Sequence, residues 1–201
     1  MYLSQEGVTY QITGFCNVIK ISGESIMDKR IEENLRVKRL IVDAFFTLLE
    51  KSDLESISIS EITRMAKVSR MAYYRNFNSK IDIIDFYLDD ILDEQIASLN
   101  YDINFWDEEY GRIFFQSMNK HKERILLLNQ IGLDGIFLNK FSAANENFAG
   151  DMPQNSIERY NLYYAAGAAY NGTIEWLKGG CRESVEEMTQ SLGKFMKFNV
   201  Y

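Results

Sequence analysis

Pro153 is the only proline in 201 residues, and glycine occupies only 12 positions. Proline breaks a helix by removing a backbone donor and crowding the preceding turn. A chain nearly free of it can run as long helices wherever apolar residues recur every three and four positions. Such runs are frequent here. Between 28 and 51 the face is Val37, Leu40, Ile41, Ala44, Phe45, Leu48 and Leu49. Between 80 and 99 it is Ile83, Ile84, Tyr87, Leu88, Ile91, Leu92 and Ile96, with Asp82, Asp85, Asp89, Asp90 and Asp93 outside. Further helices are expected over 105–119, 121–130, 133–147, 155–179 and 182–198. Pro153 is placed to open one of them, and Gly179-Gly180 to end it. The expected fold class is all-α. No apolar run approaches the roughly 20 residues that cross a bilayer.

Residues 1–27 read differently. Thr9–Ser22 has some two-residue alternation and could pass for a strand, without the features of a signal peptide. Met27 directly precedes a charged helix start. This fits an extension outside the core fold, or a start upstream of the native one.

The stretch 58–80, S-I-S-E-I-T-R-M-A-K-V-S-R-M-A-Y-Y-R-N-F-N-S-K, spells two short helices with their caps. Ser58 or Ser60 can cap the first, which runs to about Met65 or Ala66. A break follows at Lys67-Val68, and Ser69 caps the second, Arg70 to about Asn76. Its outward residues are expected to be Arg70, Met71, Tyr73 and Tyr74. Ile59, Ile62, Met65, Ala66, Val68, Ala72 and Phe77 can close the small core beneath. Asn78-Ser79 caps the next helix. Cationic and aromatic side chains on a short exposed helix suit a DNA groove, where phosphates attract the cations and base edges meet the rest.

Charge supports the division. Residues 28–80 carry 11 Lys/Arg against 8 Asp/Glu, whereas 81–201 carry 10 against 19. That is a cationic head on an acidic body, within a chain of net charge −7. The expected domains are 1–27, an extension; 28–80, a helix-turn-helix DNA-binding domain; and 81–201, a helical effector-binding and dimerisation domain.

The residues from about Leu35 to Leu92 resemble the N-terminal domain of the TetR/AcrR family of transcriptional regulators. The resemblance rests on I-V-D-A-F-F-T-L-L-E, then on Ser58, Ile62, Ala66-Lys67-Val68-Ser69, Tyr74 with Phe77, and Ser79-Lys80. Two positions depart from the family pattern. Lys67 stands where a turn glycine is usual, at a strain of about 1 kcal/mol if the position needs positive φ. Asn78 stands where proline is common. The resemblance implies a homodimer with two reading heads, meeting a palindromic double-stranded operator with heads about 34 Å apart or a multiple of that. It also implies a C-terminal domain that binds a small effector.

The candidate DNA contacts are Ser58, Ser60, Lys67, Ser69, Arg70, Met71, Tyr73, Tyr74 and Lys80. Arg70 is the base reader, Met71 and Tyr73 suit a thymine methyl or a sugar, and Ser58, Ser60, Tyr74 and Lys80 are phosphate clamps. One of Tyr73 and Tyr74 can instead pack inward. Lys29, Arg30, Arg36, Lys38 and Arg39 form a basic cluster on the first helix, balanced by Glu32 and Glu33 as a solvated face.

In the body, Ala165-Ala166-Gly167-Ala168-Ala169 lets helices approach closely, and 155–179 with 182–198 are expected to form the dimer interface. The candidate effector pocket is aromatic: Phe105, Trp106, Tyr110, Phe114, Phe115, Met118, Phe137, Phe141 and Tyr164. Such walls suit a small, largely apolar ligand, although aromatics at helical spacing also fill cores. His121, the only histidine, is read as solvated. Cys16 and Cys181 lack metal-ligand spacing, so no metal or cofactor is expected and the chain reads as cytoplasmic. The leading function is a ligand-responsive repressor. The alternative is an activator, or a regulator answering to a protein partner without a small-molecule effector. Nothing spells a nucleophile–base pair or a phosphate loop, so an enzyme is not expected.

Overall fold

Each long apolar periodicity becomes a helix, and Ser58, Ser69 and Ser156 each cap a helix start. The computed structural model of the protein describes residues 2–5, 8–12, 18–22, 29–99, 108–149 and 152–199. Its helices are α1 (Lys29–Leu49), α2 (Ile59–Met65), α3 (Arg70–Asn76), α4 (Lys80–Ser98), α5 (Glu108–Lys120), α6 (Lys122–Gln130), α7 (Asp134–Ala149), α8 (Ile157–Lys178) and α9 (Val185–Asn199). Ahead of them lie three short strands, β1 (Tyr2–Gln5), β2 (Val8–Ile12) and β3 (Val18–Ser22). They form an antiparallel meander in the order β1-β2-β3, pairing Tyr2 with Gln11 and Val8 with Ser22. The all-helical architecture expected is the architecture from Lys29 onward, with this small sheet added before it.

The described residues divide into two compact units within α4. One holds α1, α2, α3 and α4 as far as Asp90; the other holds α4 from Ile91 together with α5 to α9. In the first unit, Ile41, Phe45, Phe46, Ile62, Phe77, Ile83, Ile84 and Leu88 are fully buried or nearly so. Phe46 packs on Tyr87 with ring centroids 4.7 Å apart. Met65, expected in this core, is exposed instead, and Ile57 is buried. The reason is the cap. With Ser58 as N-cap, Ile57 and Ile62 occupy the two positions of a hydrophobic staple, and the helix is too short to turn Met65 back inward.

In the second unit, α8 contributes buried Ala165, Ala166 and Ala169. A Cβ at Gly111 of α5 would come within 3.0 Å of the Thr189 methyl on α9, so glycine permits that close approach. Pro153 does not open α8. Ser156 caps it, accepting a hydrogen bond from the Arg159 N–H at 3.2 Å, and Pro153 lies in the preceding loop. The stop expected at Gly179-Gly180 is present, with Gly180 at φ +83°. No helix among the described residues is long and apolar enough to cross a membrane.

Candidate functional site

The serines that open α2 and α3 fix the position of every other side chain in the motif. Ser58 accepts from the Glu61 N–H at 3.2 Å, while the Ser58 N–H donates to the Glu61 carboxylate at 2.9 Å. This is a capping box, and it satisfies two orphan donors at once. The Ser58 hydroxyl holds Glu61 below the usual carboxylate range, helped by the Ser58 N–H. Between the helices, Lys67 adopts φ +55°, so the turn does require the left-handed conformation that glycine provides most easily. Ser69 then caps α3 by accepting from the Ala72 N–H at 3.0 Å.

Helix α3 presents a narrower face than its sequence suggests. Met71 is 79% exposed and Tyr74 56%, and Arg70 lies beside them on the surface. Tyr73 is 0% exposed. Its ring meets Tyr74 edge-on at 5.5 Å and Phe77 at 6.0 Å, and burial raises its hydroxyl pKa. Tyr73 is therefore a core residue, not a contact to a thymine methyl or a sugar. It is one helical turn from Phe77 and shares its inward face.

Three of the four expected clamps are engaged within the protein, Ser58 through its capping box with Glu61. The Arg70 guanidinium donates to the Ser60 hydroxyl, which ties the proposed base reader to α2. The Lys80 ammonium donates to the Leu54 carbonyl, to the Ile57 carbonyl at 3.0 Å and to the Glu55 carbonyl at 3.4 Å. Three donor hydrogens meet three carbonyls, so Lys80 staples α4 to the α1–α2 loop and is not displayed as a phosphate clamp. The start of α4 is also already filled. Asp82 accepts from the Asn78 N–H at 2.9 Å and from the Ser79 hydroxyl, and these bonds, Ser79's first, hold its carboxyl below the usual range.

The fold recurs in solved structures. A TetR transcriptional regulator from Streptococcus agalactiae 2603V superposes with TM-score 0.61 and 18% identity, covering 83% of this chain and 97% of that one. The dihydroxyacetone kinase operon activator DhaS gives 0.58 and 16%, over 82% and 96%. The fatty acid degradation regulator FadR from Bacillus halodurans gives 0.54 and 13%, over 80% and 94%. The chain has the fold of TetR-type transcriptional regulators. No protein-family model matches its sequence, and no curated protein does.

Within the TetR fold, the aromatic set of the body is closed upon itself. Tyr110, Phe114, Phe115, Met118, Phe137 and Phe141 are all buried. Phe114 stacks on Phe141 at 5.1 Å and meets Phe115 at 5.2 Å; Phe115 meets Trp176 at 5.6 Å, and Phe137 meets Tyr170 at 5.6 Å. These rings are one another's neighbours, as core residues are. Tyr164 is 71% exposed and stands apart from them on the outside of α8, which corrects its place in an aromatic pocket. Phe105 and Trp106 lie outside the described residues.

Several buried polar atoms of the body have no hydrogen-bond partner among the described residues: Gln95 Nε2, Ser117 Oγ, Thr189 Oγ1 and both amide atoms of Asn145. Gln95 and Ser117 line a cleft of about 210 Å³ between α4 and α5, with Glu94 and Lys120. Lys120 donates to Glu94, and the His121 Nε2 lies 3.5 Å from the same carboxylate. His121 is thus half-buried and not solvated, and burial lowers its pKa more than Glu94 raises it. These groups carry no apolar signature, so a search for aromatic walls passes over them.

The outer face of α8 carries Ile157, Tyr160 and Tyr164, all exposed, with Ala168 further along. Residues spaced three, four and four apart share one face of a helix. Phe195 of α9 is exposed as well. Among the described residues, no three His, Cys, Asp or Glu side chains are grouped to hold a metal.

Proposed function

We propose that this protein is a sequence-specific DNA-binding transcriptional regulator. It acts in the cytoplasm as a homodimer on a palindromic operator and is not an enzyme. One observation carries the reading: α3 is capped at Ser69, anchored inward by Tyr73, and offers Arg70, Met71 and Tyr74 outward. A short helix so held can enter a major groove with its cation first. The exposed stripe of α8 supports dimerisation, because an apolar row of this length asks for a partner. A body effector that favours one arrangement of the two heads shifts operator affinity, and operator DNA changes effector affinity by the same factor. In that scheme the protein is a repressor released by a small, largely apolar molecule.

A second reading is an activator, or a regulator that answers to a protein partner with no small-molecule effector. The filled aromatic set favours it, and one structural neighbour is titled an operon activator. Selection of bound fragments from the source genome, followed by gel-shift titration, tests the DNA reading. Arg70→Ala should abolish preference for the selected fragment and leave the dimer folded. Unchanged preference removes Arg70 as the reader, and the absence of any enriched fragment removes the function itself.

A further inference from the structure

The basic residues of α1 separate into two groups. Arg36 donates to both carboxylate oxygens of Glu33, at 2.8 and 2.7 Å. Arg39 does the same to Asp90, at 3.0 and 2.7 Å. Both arginines have matched carboxylates in the two-pronged geometry that guanidinium groups favour. Lys29, Arg30 and Lys38 border a different surface. With Asn34 they line a groove of about 840 Å³, and Arg75 and Asn76 at the end of α3 form part of the same lining. Glu33 also borders the groove, yet its two oxygens are those held by Arg36. Four cationic side chains from two helices therefore line one groove, and the carboxylate that borders it among the described residues is held by Arg36. They do so in a chain that is net negative by 7. Lys38 is also positioned by its neighbours, with Nζ 4.7 Å from the centre of the Phe86 ring.

The groove adjoins the reading helix. Arg75 lies five residues after Arg70 on α3, about 7.5 Å along the axis at 1.5 Å per residue. That is about two steps of a DNA strand at 3.4 Å each. Five residues also turn the helix by about 140°, so Arg75 leaves α3 toward the groove and not beside Arg70.

We infer that this groove is a phosphate rail: it carries the DNA backbone that flanks the half-site, through Lys29, Arg30, Lys38 and Arg75. The inference rests on the DNA-reading function proposed above. The rail supplies affinity and register without base preference, because phosphates look alike at every step.

The test uses the full-length protein and a duplex of about 40 base pairs carrying the sequence that the wild type enriches from a randomised pool. Binding is followed by fluorescence anisotropy from about 50 to 200 mM salt, where each phosphate contact contributes about 0.9 to the slope of log K against log salt. The triple variant Lys29→Ala, Lys38→Gln, Arg75→Ala should lower that slope by about 5, for three contacts on each of two heads, and weaken binding about tenfold or more. Its ranking of base substitutions in the half-site should not change. Arg39→Ala should bind within about twofold of wild type, since that arginine is held by Asp90 and neither of the two lines the groove. A charge-keeping variant, Lys29→Arg with Lys38→Arg and Arg75→Lys, should keep the slope, which separates lost charge from damage to the fold. A triple variant with wild-type slope and affinity overturns the rail and leaves the DNA reading standing. So does a charge-keeping variant that loses as much as the triple. A wild type that enriches no sequence and binds no duplex, or that binds phosphatidylserine vesicles instead, overturns both.

Discussion

The head and the body both cap helices with serines but differ in how many buried polar atoms they leave unmatched: among the described residues the head leaves the Tyr73 hydroxyl, the body several. Around α2, α3 and the start of α4, side chains close the helix ends: Ser58 with Glu61, Ser69, Ser79 with Asp82, and Lys80 on three carbonyls. In the body, Asn145 is 0% exposed with both amide atoms unmatched, and Gln95, Ser117 and Thr189 each hide an unmatched polar atom. A buried polar atom without a partner costs on the order of 1–3 kcal/mol. A surface that must meet a rigid duplex gains from preorganisation, because little order is lost when it binds. The body instead concentrates its unsatisfied groups inside, where substitution can relieve them.

The comparison can be broken most sharply in the aromatic set. If Phe114 is core, Phe114→Ala should destabilise the protein by about 3–5 kcal/mol in a denaturant melt. A loss below about 1 kcal/mol would mean that the ring borders open space and that the pocket reading survives. Lys80→Ala comes next. It should cost about 1–3 kcal/mol of stability, because carbonyls of the α1–α2 loop lose their donor, while the salt slope of DNA binding stays within experimental error of wild type. A slope lower by about 2, for one contact on each of two heads, would return Lys80 to the phosphate clamps.

Asn145→Leu should move stability the other way, raising it by about 1 kcal/mol in the same melt, since an unmatched amide is replaced by an apolar group of similar size. Destabilisation would show that a bound water or ligand serves the amide in solution. Lys67→Gly should have the smallest effect, a gain of up to about 1 kcal/mol from relief of the left-handed backbone, reduced by the greater freedom of glycine in the unfolded chain. A loss would mean that the lysine side chain supports the turn.

Acid should weaken both regions. Glu61 and Asp82 have carboxyls held below their ordinary range in the folded head, and Glu94, Asp134 and Glu187 of the body are also held below theirs. Their contribution is complete above the ordinary carboxylate range and is lost as pH falls through and below it.

What could be read from the sequence tracks how far each interaction reaches along the chain. The caps at Ser58, Ser69 and Ser79 bond to groups three residues on, so spacing alone announces them. The bounds of α3 and the positive φ of Lys67 follow from the same local chemistry. Lys80 finds the Leu54 carbonyl 26 residues back, and no pattern within a helix reports that. Tyr73 and Tyr74 are adjacent and chemically identical, and only the surrounding core decides which turns inward. The aromatic residues of the body were visible as a set, but whether rings enclose a space or fill it depends on contacts such as Phe114 with Phe141 across two helices.

The stripe of Ile157, Tyr160 and Tyr164 along α8 has a consequence for how much of this protein exists folded. In the proposed homodimer a second copy completes this surface, folding depends on the amount of chain present, and thermal stability should rise with concentration. Transcription of the gene then sets its product's durability together with its number. A cell holding few copies would keep each of them less securely than a cell holding many, and regulation by abundance would be steeper than a simple count of molecules suggests.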